Sequence, residues 1–208
     1  MMRGLSDAGY PVGPAVPVDP VLRAAEEALR RGGIGPARRL LVGRTDAPAL
    51  VLRGICALRE GDPRQAADIF AAAVARAPDD AVAHAYFALA LVTIGEVAQA
   101  EEVLDCALAL APASFVVRLV AAQCAYRLGL YPAAARRVEE ALALGAPDAD
   151  SDARARALLQ QARARGGRAV GPGRTDTPLD RLIALVRRLR IPTARSARAF
   201  PEGVRCSF

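Results

Sequence analysis

Residues 47–80 read APALVLRGICALREGDPRQAADIFAAAVARAPDD, residues 81–114 read AVAHAYFALALVTIGEVAQAEEVLDCALALAPAS, and residues 115–148 read FVVRLVAAQCAYRLGLYPAAARRVEEALALGAPD. Aligned, they are three copies of one 34-residue period. Glycine recurs at Gly61, Gly95 and Gly129, and alanine at Ala66, Ala100 and Ala134 and again at Ala73, Ala107 and Ala141. Proline closes each copy at Pro78, Pro112 and, one residue late, Pro147. Breakers and small residues in phase with a fixed period mark a stacked repeat, in which no unit buries its apolar face alone.

Each period reads as two antiparallel helices. In the first copy Leu50, Gly54, Ala57 and Leu58 line one helix, and Ala66, Ile69, Phe70, Ala73 and Val74 line the next. Gly61 suits the left-handed turn that ends the first helix, and Asp62 with Pro63 suits the cap and opening of the second. Pro78 stops that helix, and Asp79 or Asp80 can cap its successor.

These residues make the chain resemble the tetratricopeptide repeat family over 47–148. The family's small eighth position, Ala at the twentieth, large apolar residue at the twenty-fourth, Ala at the twenty-seventh and Pro at the thirty-second fall on Gly54, Ala66, Phe70, Ala73 and Pro78. In the second copy they fall on Ala88, Ala100, Leu104, Ala107 and Pro112, and in the third on Ala122, Ala134, Val138 and Ala141, with Ala146 before Pro147. The family's early aromatic is replaced by Leu50, His84 and Arg118. The resemblance implies an all-α fold, an α-α superhelix built as a right-handed solenoid of antiparallel helix pairs.

Composition agrees with closely packed helices: 53% of residues are hydrophobic and only 4% aromatic, so the core rests on alanine and leucine. All 28 basic residues are arginine, and neither lysine nor asparagine occurs. That bias is the mark of G+C-rich codon usage in some bacteria, so arginine abundance alone says little about function. The net charge of +6 is unevenly spread. Residues 47–147 carry eight arginines against eleven acids, and residues 148–208 thirteen against six. A basic tail of this kind meets an anionic membrane, an acidic protein or simply water. Nucleic acid is disfavoured as a partner, because the tail has almost no interleaved aromatics and no reading motif.

Residues 1–18 hold Gly4, Gly9, Gly13, Pro11, Pro14 and Pro17 without an apolar run, and read as a disordered leader on a cytoplasmic protein. Residues 19–46 read as a degenerate helix pair capping the array. Val21, Leu22, Ala25, Ala28 and Leu29 form the first stripe, Gly32 and Gly33 stop it, and Pro36 opens a short helix through Leu40, Leu41 and Val42. Residues 149–166 read as a terminal capping helix, started by Asp150 or Ser151, faced inward by Ala155, Leu158, Leu159 and Ala162 and stopped by Gly166. A linker is expected over 167–177, a basic amphipathic helix over 178–191 and a disordered tail over 192–208. In that helix Leu179, Leu182, Ile183, Val186 and Leu189 form a stripe, and Arg181, Arg187, Arg188 and Arg190 supply charge for a membrane surface or a partner.

Catalysis is not expected. The chain has no phosphate-binding loop, nucleophile elbow or zinc-helix motif, and Glu101–Glu102 and Glu139–Glu140 are adjacent pairs whose side chains diverge on a helix. Neither a metal nor a cofactor is expected, since Cys56, Cys106, Cys124, Cys206 and the single His84 have no ligand spacing. Cys56, Cys106 and Cys124 read as small buried apolar residues in a reducing compartment. His84 reads as a packed or half-exposed helix residue.

The resemblance also implies a site. In such proteins the first helices line a concave groove, which here assigns Pro48, Val51, Ile55 and Leu58; Val82, Ala85, Leu89 and Val92; and Val116, Leu119, Gln123 and Tyr126. This surface is apolar, so its expected ligand is an apolar peptide or amphipathic helix of a partner protein. The leading expectation is an adaptor or scaffold. The alternatives are a secretion chaperone of the type III class-II kind, whose members tend to be acidic where this chain is basic, and a peripheral membrane organiser held by the C-terminal helix. In all three an end repeat or the free helix can pack against a second copy to form a homo-oligomer.

Overall fold

The computed structural model describes residues 19–169, and among them every regular element is a helix. A short first pair, α1 (Pro20–Arg30) and α2 (Ile34–Leu40), precedes three full pairs. These are α3 (Ala47–Glu60) with α4 (Pro63–Arg76), α5 (Ala81–Ile94) with α6 (Val97–Leu110), and α7 (Phe115–Arg127) with α8 (Tyr131–Ala143). The last helix, α9 (Ala149–Ala169), closes the run. The leader 1–18, most of the linker, the basic helix 178–191 with Arg181, Arg187, Arg188 and Arg190, and the tail 192–208 lie outside the described residues.

The breakers act where the period puts them. Gly61 and Gly95 end α3 and α5 in the left-handed conformation, at φ 85° and 91°. The Asp62 carboxylate accepts the Gln65 N–H at 3.0 Å, and Asp80 accepts those of Val82 and Ala83 at 2.9 and 3.1 Å, so both side chains satisfy donors that a helix start leaves open. Of the two candidate caps at 79 and 80, Asp80 takes the role.

Each helix packs on its pair-mate, and first helices also touch one another in sequence, α1 to α3 to α5 to α7 to α9. Successive second helices make no such series of contacts. Spacing is therefore tighter on the first-helix side, and the array curves with α3, α5 and α7 on its inner face. At the centre sits α5, which carries no Asp, Glu, Lys or Arg and buries nine of its fourteen residues. A helix apolar all round is one with neighbours on every side.

Stacking is not uniform. Between the first and second repeats Phe70 of α4 stacks on Tyr86 of α5, with ring centroids 5.8 Å apart and planes at 15°. One period later the same two slots hold Leu104 and Val120. These side chains are too small to bridge as the rings do, and α6 makes far less contact with α7 than α4 makes with α5.

The ends depart from the sequence reading in three places. Only Leu41 of the Leu40–Val42 run is fully buried, because α2 ends at Leu40 and the chain turns through Gly43 at φ 74°, which leaves Val42 75% exposed. Asp148, not Asp150 or Ser151, caps α9: it accepts the Ser151 N–H at 2.8 Å and the Ser151 hydroxyl at 3.1 Å. Finally, α9 passes through Gly166 and reaches Ala169. Gly166 lies against the start of α8, where an added Cβ would stand 3.6 Å from that of Tyr131, an ordinary van der Waals distance.

Candidate functional site

The inner face is built from the sides of α3, α5 and α7. Of the twelve assigned side chains, Val51, Ala85 and Leu89 are buried and belong to the core. Ile55, Leu58, Val82, Val92, Val116, Leu119, Gln123 and Tyr126 are half-buried, and Pro48 is exposed. The three buried residues lie where neighbouring first helices meet: Ala85 and Leu89 pack in one cluster with Val117 and Val120 of α7. What remains toward solvent is a stripe of half-covered aliphatic side chains. Its charges, Arg53, Arg59, Arg118 and Arg127, come from α3 and α7 alone.

Three of those arginines are engaged in holding the scaffold, and Arg53 donates to the Arg44 carbonyl at 2.9 Å. Arg59 donates to the Leu29 carbonyl at the end of α1, tying the first pair to α3. Arg118 donates to the Pro112 carbonyl at 2.7 Å and pairs with Glu140 at 3.2 Å, so the residue in the family's aromatic slot clamps the loop before α7 to α8.

The helix α9 extends the inner row and takes over part of the third repeat. Leu119 joins a cluster with Leu158 and Leu159 of α9. Tyr126 meets Tyr131 edge-on, centroids 5.4 Å apart, and the Arg165 guanidinium stands 5.2 Å and 5.9 Å from the two ring centres. The apolar stripe of α9 is plain in the sequence, but nothing there says that it covers these two positions.

A family model described as tetratricopeptide repeat matches residues 57–106, from the end of α3 through most of α6. Over those residues the chain is tetratricopeptide repeat. Among solved structures, a chain of the APC/C hetero-tetramer Cut9–Hcn1 is similar with a TM-score of 0.51 and 20% identity, over 69% of this chain and 29% of that one. The present chain thus spans under a third of that longer protein, and the likeness is one of fold. MamA from Desulfovibrio magneticus RS-1 is similar with a TM-score of 0.44 and 19% identity, over 71% of this chain and 90% of that one. Comparison with curated protein sequences returns no match. Tetratricopeptide repeats mediate protein–protein interactions, which places this array among protein-binding scaffolds.

The remaining chemistry-bearing side chains of the tetratricopeptide array have structural partners. His84 is 2% exposed, and its Nδ1–H donates to the Asp80 carbonyl one turn back, at 3.0 Å. Glu139 pairs with Arg163 of α9 and Glu140 with Arg118 of α7, so the two adjacent carboxylates point at different elements. Cys56 and Cys124 are buried thiols; burial pushes the Cys124 pKa up to about 12, leaving a thiolate fraction of about one in ten thousand at pH 8. Cys106, expected to be buried, is half-buried on α6. Among the described residues no group of His, Cys, Asp and Glu is placed to hold a metal, and no helix is long and apolar enough to cross a membrane.

One feature has no counterpart in the sequence reading. A cavity of about 60 Å³ opens between α6 and α7, lined by Val97, Ala100 and Leu104 on one wall, Ala121, Cys124 and Ala125 on the other, and Leu128 and Leu130 at the end. Glu101 and Arg137 stand at its rim. Val92 of α5 also lines it, so the cavity meets the inner face at that residue.

Proposed function

We propose that this chain is an adaptor whose inner face, along α3 and α5, holds an amphipathic helix of a partner protein. The observation that carries the reading is the row Ile55, Leu58, Val82 and Val92: half-covered aliphatic side chains on adjacent helices, with α5 contributing no charge. Half-buried aliphatic positions on rigid helices form the shallow pockets into which the i, i+3, i+4 and i+7 residues of a bound helix insert. The site is centred on the first and second repeats, because α9 occupies Leu119 and Tyr126. Clamping of a C-terminal carboxylate by lysine and asparagine does not fit, as the chain has neither.

The test is selection from a displayed library of amphipathic helices, followed by titration of selected peptides against the intact chain and a Leu58→Arg/Val82→Arg variant whose fold is checked by circular dichroism. Both positions are half-buried, so the arginines reach water while their charge faces the groove. The expected result is enrichment of helices with one apolar stripe and at least tenfold weaker binding by the variant. Equal binding by both proteins would move the site off the inner face.

A further inference from the structure

The cleft between α6 and α7 is a second apolar surface, which meets the inner face at Val92. Its walls are aliphatic, yet α6 carries Glu101, Glu102 and Asp105 behind the N-capping Glu96. No arginine occurs between Arg76 and Arg118, so this helix and its loops are the purely acidic part of the array. Arg137 stands on the other rim, so an occupant needs an aliphatic edge with its positive charge on the α6 side.

The chain carries such a segment. Over residues 178–190, at 100° per residue, Leu179, Leu182, Ile183, Val186 and Leu189 share one edge, with Arg190 inside it and Arg187 beside it. The path to the cleft is short. Gly166 lies against Tyr131, the neighbour of cleft residue Leu130, so α9 brings the chain to the end of the cleft. From Ala169, the intervening residues 170–177 extend at most about 28 Å, ample to reach from that corner along α6.

We propose that the chain's own segment 178–190 docks in the α6–α7 cleft, its leucine and isoleucine edge against Leu104, Ala121 and Ala125 and its Arg187 and Arg190 toward Glu101 and Asp105. The segment fills the space beside Leu104 and covers the sparse contact between α6 and α7. The segment 178–190, with four arginines against Asp180, and the acidic α6 are then two halves of one intramolecular contact.

Hydrogen exchange on the full-length chain tests this. In Leu182→Asp/Ile183→Asp, amides of 97–106 and 121–130 are expected to exchange about tenfold faster, while those of α3 and α4 keep their rates. The Glu101→Arg/Asp105→Arg variant should show the same loosening, and adding Arg187→Glu/Arg190→Glu should restore protection by swapping the charges. Unchanged exchange over 97–130 in the Leu182→Asp/Ile183→Asp variant overturns the proposal. Protection that grows with protein concentration would assign the cleft to a second copy, and protection of 178–190 only on adding phosphatidylglycerol vesicles would assign the segment to a membrane; either result also overturns it.

Discussion

Gly54 and Phe70 show how single residues set the spacing of the array. A Cβ on Gly54 would lie 2.5, 2.6 and 2.8 Å from three atoms of the Phe70 ring, and the ring cannot retreat because it is fully buried and stacked on Tyr86. In the later copies the same two slots hold Ala88 with Leu104 and Ala122 with Val138: as the large partner shrinks, the small one grows by a methyl. Gly54→Ala is therefore expected to destabilise the protein by about 1–3 kcal/mol through overpacking. This outweighs the roughly 1 kcal/mol that alanine gains over glycine in a helix. Urea unfolding measures it. In a double-mutant cycle Phe70→Leu should recover most of the loss, and strictly additive effects would refute the contact.

At the scale of elements, the two end caps rest on carboxylates and the middle does not depend on them in the same way. Asp19 caps α1, accepting the Val21 N–H at 2.8 Å, and pairs with Arg44 at 2.6 Å; Arg44 also reaches Asp46 at 2.9 Å. The hydrogen bond from Arg44 holds the carboxyls of Asp19 and Asp46 below the usual range. At the other end the Ser151 backbone N–H does the same for Asp148, and the Arg156 guanidinium for Asp152. A depressed folded-state pKa means stability that is present above the unfolded value of about 3.9 and lost as pH falls through the folded one. On acidification below about pH 4, NMR signals of α1, α2 and α9 should broaden or shift before those of α5. Arg44→Ala should remove the acid sensitivity of the first pair and leave that of α9. Simultaneous loss of all helices would contradict the assignment. These ends are also where sequence reading was least able to place the structure. The stripes Ala25–Leu29 and Ala155–Ala162 were legible because period and burial coincide. Asp148 as cap, Gly166 inside a helix and Val42 in solvent were not, because each depends on which neighbouring element the residue meets.

For the whole molecule, the period made the pairs of the repeats legible, since Gly61, Gly95 and Gly129 and the prolines mark the reversals directly. The distances between pairs were not legible, because they depend on which side chains face each other across the junction. That is why the α6–α7 cleft and the cover of α9 over Leu119 and Tyr126 emerge only in three dimensions, and why Leu89, assigned to a groove, is 5% exposed. The distinction has a measurable consequence. Leu89→Asp places a charge in the helix that joins the array's two halves and should cost more than about 3 kcal/mol, lowering the melting temperature of the entire helical signal. Leu58→Asp, on the half-covered face, should melt within a few degrees of the parent. Equal effects would mean that the array lacks a common core.

The same central helix shapes how the protein is made. On the ribosome α5 emerges after α3 and α4, which can cover one of its sides at once. Its other side waits until the chain from Ile94 to Arg127 has been synthesised, a delay of roughly 2–7 s at ordinary elongation rates. For that interval the nascent chain presents a charge-poor aliphatic helix to the cell, so its yield depends on translation speed and on the holdases waiting at the exit tunnel.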